Sequence, residues 1–282
     1  MNLRVEPPIR GLTRIRLYLA YDGTYFSGWA FQPNLRTVQG EVQKAISTAL
    51  RISENLDVTV AGRTDAGVHA RAQVIHFDVP LIDSDFDFQK FVYSLNGILD
   101  ADIRVSSACV APEGFDARFS AIARRYSYAL MDTEVDPLMR FQSVIHWKEL
   151  DVDAMNIASE SLLGLHDFAS FCKPNDYGST IRTLQDFTWI RDGAQVRATL
   201  QADAFCHSMV RSLIGCVIAI GDGRQPIDFA RVVLERRERL SDVVTMPSYG
   251  LTLEEVLYPA DSELLSRQEM TRAKRDISEI EG

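Results

Sequence analysis

Residues 61–70 read Ala61-Gly62-Arg63-Thr64-Asp65-Ala66-Gly67-Val68-His69-Ala70, a charged loop that directly follows the β-branched run Val58-Thr59-Val60. Such a run is typical of a buried strand, and Gly62 and Gly67 allow the backbone a tight turn. A loop at the end of a buried strand is a common place for a scaffold to present chemistry. Its carboxylate, Asp65, is able to attack carbon, take a proton or stabilise a cation. The alternative is a structural ion pair between Arg63 and Asp65.

Length and composition indicate an ordinary globular protein. The 282 residues favour about two domains, and 46% hydrophobic with 24% charged residues is typical of a packed core under a charged surface. No apolar segment resembling a secretion signal begins the chain, and the longest apolar stretch, Leu213 to Ile220, is too short to span a bilayer. We therefore expect a cytoplasmic protein with no membrane partner.

The cysteines and histidines show no metal-binding pattern. No two cysteines have CxxC spacing, so we expect reduced core thiols at all four positions, which are Cys109, Cys172, Cys206 and Cys216. The histidines add no metal-ligand spacing, and no nucleotide-binding motif is present. We expect neither a metal nor a cofactor.

The formal net charge of −9 argues against a generic nucleic-acid binder. Net charge says little about one face of a protein, however. Basic residues gather at Arg118–Arg125, at Arg182 and at Arg236–Arg239. If RNA binds, we expect it to bind a local basic cleft on an acidic body.

The order of predicted elements repeats between the two halves of the chain. A strand from Ile15 to Tyr21 precedes a helix capped by Thr37, and a second helical stripe runs from Phe88 to Ile98. In the second half, a helix capped by Asp151 is expected to end at Gly164. Each half thus approximates strand–helix–strand–strand–helix–strand, which predicts an α+β protein built from two ferredoxin-like units.

Four segments resemble the motifs of one enzyme family, in the family's order. Gly62–His69 resembles the active-site signature of the TruA family of tRNA pseudouridine synthases, and Tyr21–Trp29 resembles its first motif, YDG…GW. Phe115–Tyr128 is similar to its second motif and Phe205–Arg211 to its third. The resemblance extends from about Ile15 to Pro259.

The resemblance implies an architecture of two ferredoxin-like α/β halves, joined by antiparallel sheets around a central RNA-binding cleft. We expect an N-terminal arm at 1–12, an N-terminal α/β domain at 13–112 with the catalytic loop, a C-terminal α/β domain at 113–260, and a charged tail at 261–282. The resemblance also implies a homodimer that binds the tRNA anticodon arm. The implied targets are the uridines at tRNA positions 38, 39 and 40.

The family motifs also imply a role for each site residue. Asp65 corresponds to the catalytic aspartate, Tyr126 to the residue that contacts the target base, and Arg211 to the partner of the aspartate. Arg63 would displace the target nucleotide or hold phosphate. Tyr126 is otherwise a half-buried strand residue. Five further residues are candidate RNA contacts: Trp29, His69, Arg118, Arg125 and Arg182.

Pseudouridine formation breaks the N-glycosidic bond of a uridine, turns the base and rejoins it through C5, without a redox change or a group donor. The sugar carbon gains cationic character, which a carboxylate stabilises or captures, as in glycoside hydrolysis. Asp65 fits either role. Two other classes of function are a non-catalytic tRNA-binding and folding protein, and a nucleoside N-glycosidase.

Overall fold

The structure is a computed structural model, and it describes residues 11–52, 56–80, 85–174, 179–239 and 242–272. Most of the expected N-terminal arm, 1–10, and residues 273–282 of the expected tail lie outside these ranges. The described residues divide into two compact units. Unit 1 contains 11–121 and 256–272, and unit 2 contains 122–255.

Unit 1 has the ferredoxin-like order of elements. It consists of β1 (Leu12–Tyr21), α1 (Val38–Leu50), β2 (Thr59–Val60), β3 (His69–Pro80), α2 (Phe88–Ile98) and β4 (Ile103–Val110). The strands pair antiparallel in the order β4-β1-β3-β2. This is the strand order that two split β-α-β pieces produce in a ferredoxin-like sheet.

Local sequence explains these elements. Ile15, Leu17 and Leu19 alternate along β1 and are fully buried, because successive side chains of a strand point to opposite faces. The Thr37 side chain accepts a hydrogen bond from the Gly40 amide and so caps α1, as predicted.

Unit 2 repeats the pattern with additions. It consists of β5 (Ala123–Met131), β6 (Val144–Ile145), α3 (Val152–Glu160), β7 (Gly164–Asp167), β8 (Ile181–Asp192), β9 (Gln195–Ala202), α4 (Met209–Gly221), α5 (Phe229–Arg236) and β10 (Leu251–Leu257). The order is β10-β5-β9-β8-β7, and β6 pairs parallel with β5. The first four strands of this order match β4-β1-β3-β2 of unit 1.

Helix α3 ends earlier than the sequence predicts. Asp151 caps its start by accepting from the Ala154 amide, as expected. The helix ends at Glu160, however, and Gly164, at φ +105°, begins β7 instead of closing the helix. The apolar residues Leu162 and Leu163 continue the helical stripe but lie in the turn beyond it.

The cysteines differ from the expectation of four reduced core thiols. Cys172 and Cys206 form a disulfide, with their Cα atoms 5.7 Å apart. Cys216 is a buried free thiol, and Cys109 is a free thiol on the surface. The expectation was wrong for Cys172 and Cys206 because fold geometry, and not sequence spacing, pairs residues 34 positions apart. It was also wrong for Cys109, which is a reduced thiol but lies on the surface and not in the core.

The predicted α+β class with largely antiparallel strand pairing is confirmed. Part of the expected tail forms helix α6 (Leu264–Arg272), and Gln268 Nε2 donates to the Gly114 carbonyl at 2.6 Å. Short 3-10 turns lie at Pro137–Met139, Ala169–Phe171, Ser248–Gly250 and Asp261–Glu263. Throughout the described ranges, every helix is too short or too polar to cross a bilayer.

Candidate active site

The signature loop joins β2 to β3 within unit 1. The Ala61 amide donates to the Val74 carbonyl at 2.9 Å, and the Val68 amide donates to the Asp65 carbonyl at 3.2 Å. Gly67 takes φ +80°, a conformation that glycine adopts at little cost. The resulting turn leaves the Asp65 side chain half-buried and the Arg63 side chain exposed.

The first motif packs directly against this turn. The Trp29 amide donates to the Thr64 carbonyl at 3.0 Å. Gly28 lies so close that a Cβ there would sit 3.0 Å from the Thr64 carbonyl oxygen and 3.1 Å from the Ala66 nitrogen. Its φ of +92° also favours glycine. Backbone contacts therefore fix both sides of Asp65.

Trp29 and His69 are buried residues of unit 1. The Trp29 side chain is 1% exposed and its ring centroid lies 6.1 Å from that of Tyr21. Core packing covers this ring, so contact with RNA would require the side chain to move. His69 is 5% exposed, and its Nδ1 accepts from the Gly23 amide at 3.0 Å. This hydrogen bond connects His69 to the first motif.

Two exposed aromatic residues lie in or just after the first motif, and the sequence did not distinguish them from the buried Trp29. Tyr25 is 71% exposed and Phe31 is 60% exposed. Exposed rings on a glycine-rich loop suit base stacking. Their position beside glycines was visible in the sequence, but only burial separates them from the core ring.

Arg118 lies on an exposed turn of unit 1. The Asp116 carboxylate accepts from the backbone amides of Arg118 and Phe119 at 2.8 and 2.9 Å, which fixes the turn. The guanidinium lies 5.3 Å from the Phe119 ring centroid. This exposed cation remains a candidate for phosphate contact.

The second and third motifs meet in unit 2. Tyr126 lies on β5, is 8% exposed, and packs edge to face against Phe205, with ring centroids 5.3 Å apart. Such a pair holds both rings in defined orientations. The segment that carries Phe205 leads directly into helix α4, so the same contact links Tyr126 to the third motif.

Arg211 lies in the first turn of α4 and is half-buried. Its Nη1 donates to the Met246 carbonyl at 3.2 Å, and the Met246 amide donates back to the Arg211 carbonyl at 3.2 Å. Gly215 brings α4 against the same segment, since a Cβ there would lie 1.9 Å from the Val244 carbonyl oxygen. These contacts fix the guanidinium with respect to unit 2.

The remaining two candidate cations have protein partners. Arg125 forms an ion pair with Glu255, with which a phosphate would have to compete. Arg182, on β8, is half-buried and donates to the Ile181 carbonyl at 2.6 Å. In the part of the chain that the structure describes, no cluster of three or more His, Cys, Asp or Glu side chains is able to hold a metal ion.

Comparison with known proteins identifies the family. Residues 158–259 match the family model described as tRNA pseudouridine synthase. The chain is 48% identical to tRNA pseudouridine synthase A of Streptomyces griseus over 98% of both chains. It is 49% identical to that of Streptomyces avermitilis, also over 98% of both chains. It is 44% identical to that of Mycobacterium leprae, over 95% of this chain and 98% of the relative. The chain therefore belongs to the TruA family of tRNA pseudouridine synthases.

Proposed function

We propose that this protein is an isomerase that converts uridine to pseudouridine in the anticodon arm of tRNA, at positions 38, 39 and 40. The observation that carries the proposal is the signature loop, which presents the half-buried carboxylate of Asp65 on a turn fixed by backbone hydrogen bonds. Relatives at 44–49% identity over nearly the whole chain are named tRNA pseudouridine synthase A, which supports the same activity.

The chemistry assigns a role to each site residue. Asp65 stabilises or captures the sugar carbon as the glycosidic bond breaks, because that carbon gains cationic character. Tyr126 stacks on the freed base, and its edge contact with Phe205 supports that orientation. Arg211 serves as the partner of the carboxylate, as the family resemblance implies. Arg63, with its exposed side chain, displaces the target nucleotide or holds a phosphate.

The RNA surface combines cations and exposed rings. Extruding the target uridine from its stack costs a few kcal/mol, which contacts elsewhere on the RNA offset. Arg118 and Arg182 are the candidate phosphate contacts, with Arg125 a weaker one because it pairs with Glu255. Tyr25 and Phe31 are candidates for stacking on unpaired bases. We further propose a cytoplasmic homodimer.

The test is incubation of the protein with an unmodified tRNA transcript that carries uridine at positions 38, 39 and 40, followed by mapping of pseudouridine. Matched transcripts with cytidine at each position in turn identify the target. We expect pseudouridine at these positions and no loss of base from the RNA.

Two outcomes would favour the other classes of function. Release of free uracil, or reaction with free uridine, would indicate an N-glycosidase. Tight tRNA binding without any modification would indicate a folding protein. Either result would contradict the proposed isomerase.

A further inference from the structure

A network of buried hydrogen bonds lies beneath the signature loop. The Tyr21 hydroxyl and Thr64 Oγ1 are 2.8 Å apart. Gln73 Nε2 donates to the Tyr21 hydroxyl at 3.1 Å and to the Gly62 carbonyl at 2.9 Å. The Val74 amide donates to Gln73 Oε1 at 3.2 Å. The three side chains belong to β1, the loop and β3, so the hydrogen-bond network connects the loop to two central strands of unit 1.

The three side chains have almost no access to water. Gln73 is 0%, Tyr21 4% and Thr64 7% exposed. Burial raises the pKa of Tyr21 to about 12, so the phenol stays neutral and is able both to donate and to accept. A buried polar group that loses its partner is strongly unfavourable, so each side chain of the network constrains the orientation of the one it contacts.

The hydrogen-bond network contacts the signature loop at the two positions on either side of Arg63. Gln73 holds the Gly62 carbonyl and Tyr21 holds the Thr64 side chain. Thr64 directly precedes Asp65, and its carbonyl is held from the other side by the Trp29 amide. The backbone just before Asp65 is therefore held by hydrogen bonds on both sides, and this limits the positions that the Asp65 carboxylate is able to take.

We propose that Tyr21, Gln73 and Thr64 are positioning residues for pseudouridine formation, which hold the Asp65 carboxylate where the sugar carbon must meet it. The inference rests on the proposed function. Reacting groups must be held within a fraction of an ångström of productive geometry, and a displacement of 1 Å lowers a rate by roughly a hundredfold. None of the three side chains needs to touch the RNA for this role.

The test compares Tyr21→Phe with Tyr258→Phe. Tyr258, also in unit 1, donates its hydroxyl to the Ala117 carbonyl at 2.7 Å, so the control loses a similar hydrogen bond away from the loop. We measure single-turnover pseudouridine formation, tRNA affinity and urea unfolding. Tyr21→Phe should lower the rate roughly tenfold to a hundredfold at unchanged tRNA affinity. Tyr258→Phe should keep the wild-type rate.

Thr64 provides a second pair of variants should Tyr21→Phe unfold. Thr64→Val removes the hydroxyl at constant shape, whereas Thr64→Ser keeps it. We expect Thr64→Val to lose rate and Thr64→Ser to retain it, a rescue that a purely packing role would not give.

Wild-type rates in both Tyr21→Phe and Thr64→Val would overturn the positioning role while leaving the isomerase intact. Equal rate losses in Tyr21→Phe and Tyr258→Phe would overturn it as well. A wild-type protein that forms no pseudouridine would contradict the proposed function itself, and the positioning role with it.

Discussion

Gly23 and Val68 pack backbone to backbone, so that a Cβ added at Gly23 would lie 2.0 Å from the Val68 carbonyl oxygen. The first motif and the signature loop are therefore held together by a contact that only glycine permits. The neighbouring hydrogen bond from the Gly23 amide to His69 Nδ1, at 3.0 Å, depends on the same close approach.

Gly23→Ala should separate the two segments, because the obstacle is backbone and not a flexible side chain. Overpacking of this kind destabilises by about 1–3 kcal/mol, which urea unfolding measures, and the displaced loop should lower the single-turnover rate. Gly97→Ala is the matched control: Gly97 lies in α2, and a Cβ added there would have no neighbouring atom within 4 Å. Helix propensity predicts that this control keeps or raises stability by up to about 1 kcal/mol. Full stability of Gly23→Ala would contradict the close packing of Gly23 against Val68.

His76 should make the protein less stable in weak acid. It is 5% exposed on β3, and its Nδ1 accepts from the Ala117 amide at 3.0 Å. Burial, with Arg14 as a second cause, lowers the pKa of His76 to about 4. In the unfolded chain the pKa is about 6.5, so the unfolded state binds more protons between these values. The contribution of neutral His76 is complete above pH ~6.5 and falls by about 3 kcal/mol as the pH drops toward 4.

His76→Gln tests this pH dependence, since a glutamine oxygen is also able to accept from the Ala117 amide. We expect the free energy of unfolding of the variant to change less between pH 6.5 and pH 4 than that of the wild type. His207→Gln, at an exposed position, is the control and should leave the wild-type profile unchanged. Parallel profiles for wild type and His76→Gln would show that another group causes the acid sensitivity.

The disulfide predicts a defined number of reactive thiols. Without reductant, a thiol reagent should label Cys109 alone in the native protein, and both Cys109 and Cys216 in the denatured protein. All four cysteines should react only after reduction. Reduction should lower the free energy of unfolding by about 2–4 kcal/mol, and Cys109→Ser should not. Four reactive thiols in the unreduced, denatured protein would contradict the Cys172–Cys206 bond.

tRNA binding should weaken steeply with salt despite the net charge of −9. Each lost phosphate contact lowers the slope of log affinity against log salt by about 0.7–0.9. We expect Arg182→Glu to flatten this slope. Arg231→Glu should not, because Arg231 lies on the exposed face of α5 and pairs with Glu235 at 2.7 Å. An unchanged slope in Arg182→Glu would show that Arg182 makes no phosphate contact. Salt-independent binding by the wild type would contradict a basic cleft.

The sequence predicts much of this fold because many of its strands and helix starts depend on neighbouring residues. Alternation in β1 and the caps at Thr37 and Asp151 come from interactions within a few residues, and sequence shows these directly. The early end of α3 is different. Leu162 and Leu163 continue a helical stripe, but Gly164 enters a strand that pairs with β8, and this pairing is invisible in the local pattern.

The site residues divide in the same way. The signature string predicts a catalytic role for Asp65, whereas only the fold shows that Trp29 lies in the core and Phe31 at the surface. Gln73 was missed because β3 carries several polar residues and Gln73 has no motif of its own. Its partners come from β1 and the loop, and only the folded sheet brings them together.

Single-turnover pseudouridine formation by Asp65→Asn tests most directly whether the Asp65 carboxylate carries out the chemistry. The change keeps size and removes charge. Asp57→Asn, at an exposed position shortly before β2, controls for the loss of one carboxylate from unit 1. We predict no detectable pseudouridine from Asp65→Asn at wild-type tRNA affinity and stability, and normal product from Asp57→Asn. Pseudouridine formation by Asp65→Asn at the wild-type rate would contradict a catalytic role for this carboxylate.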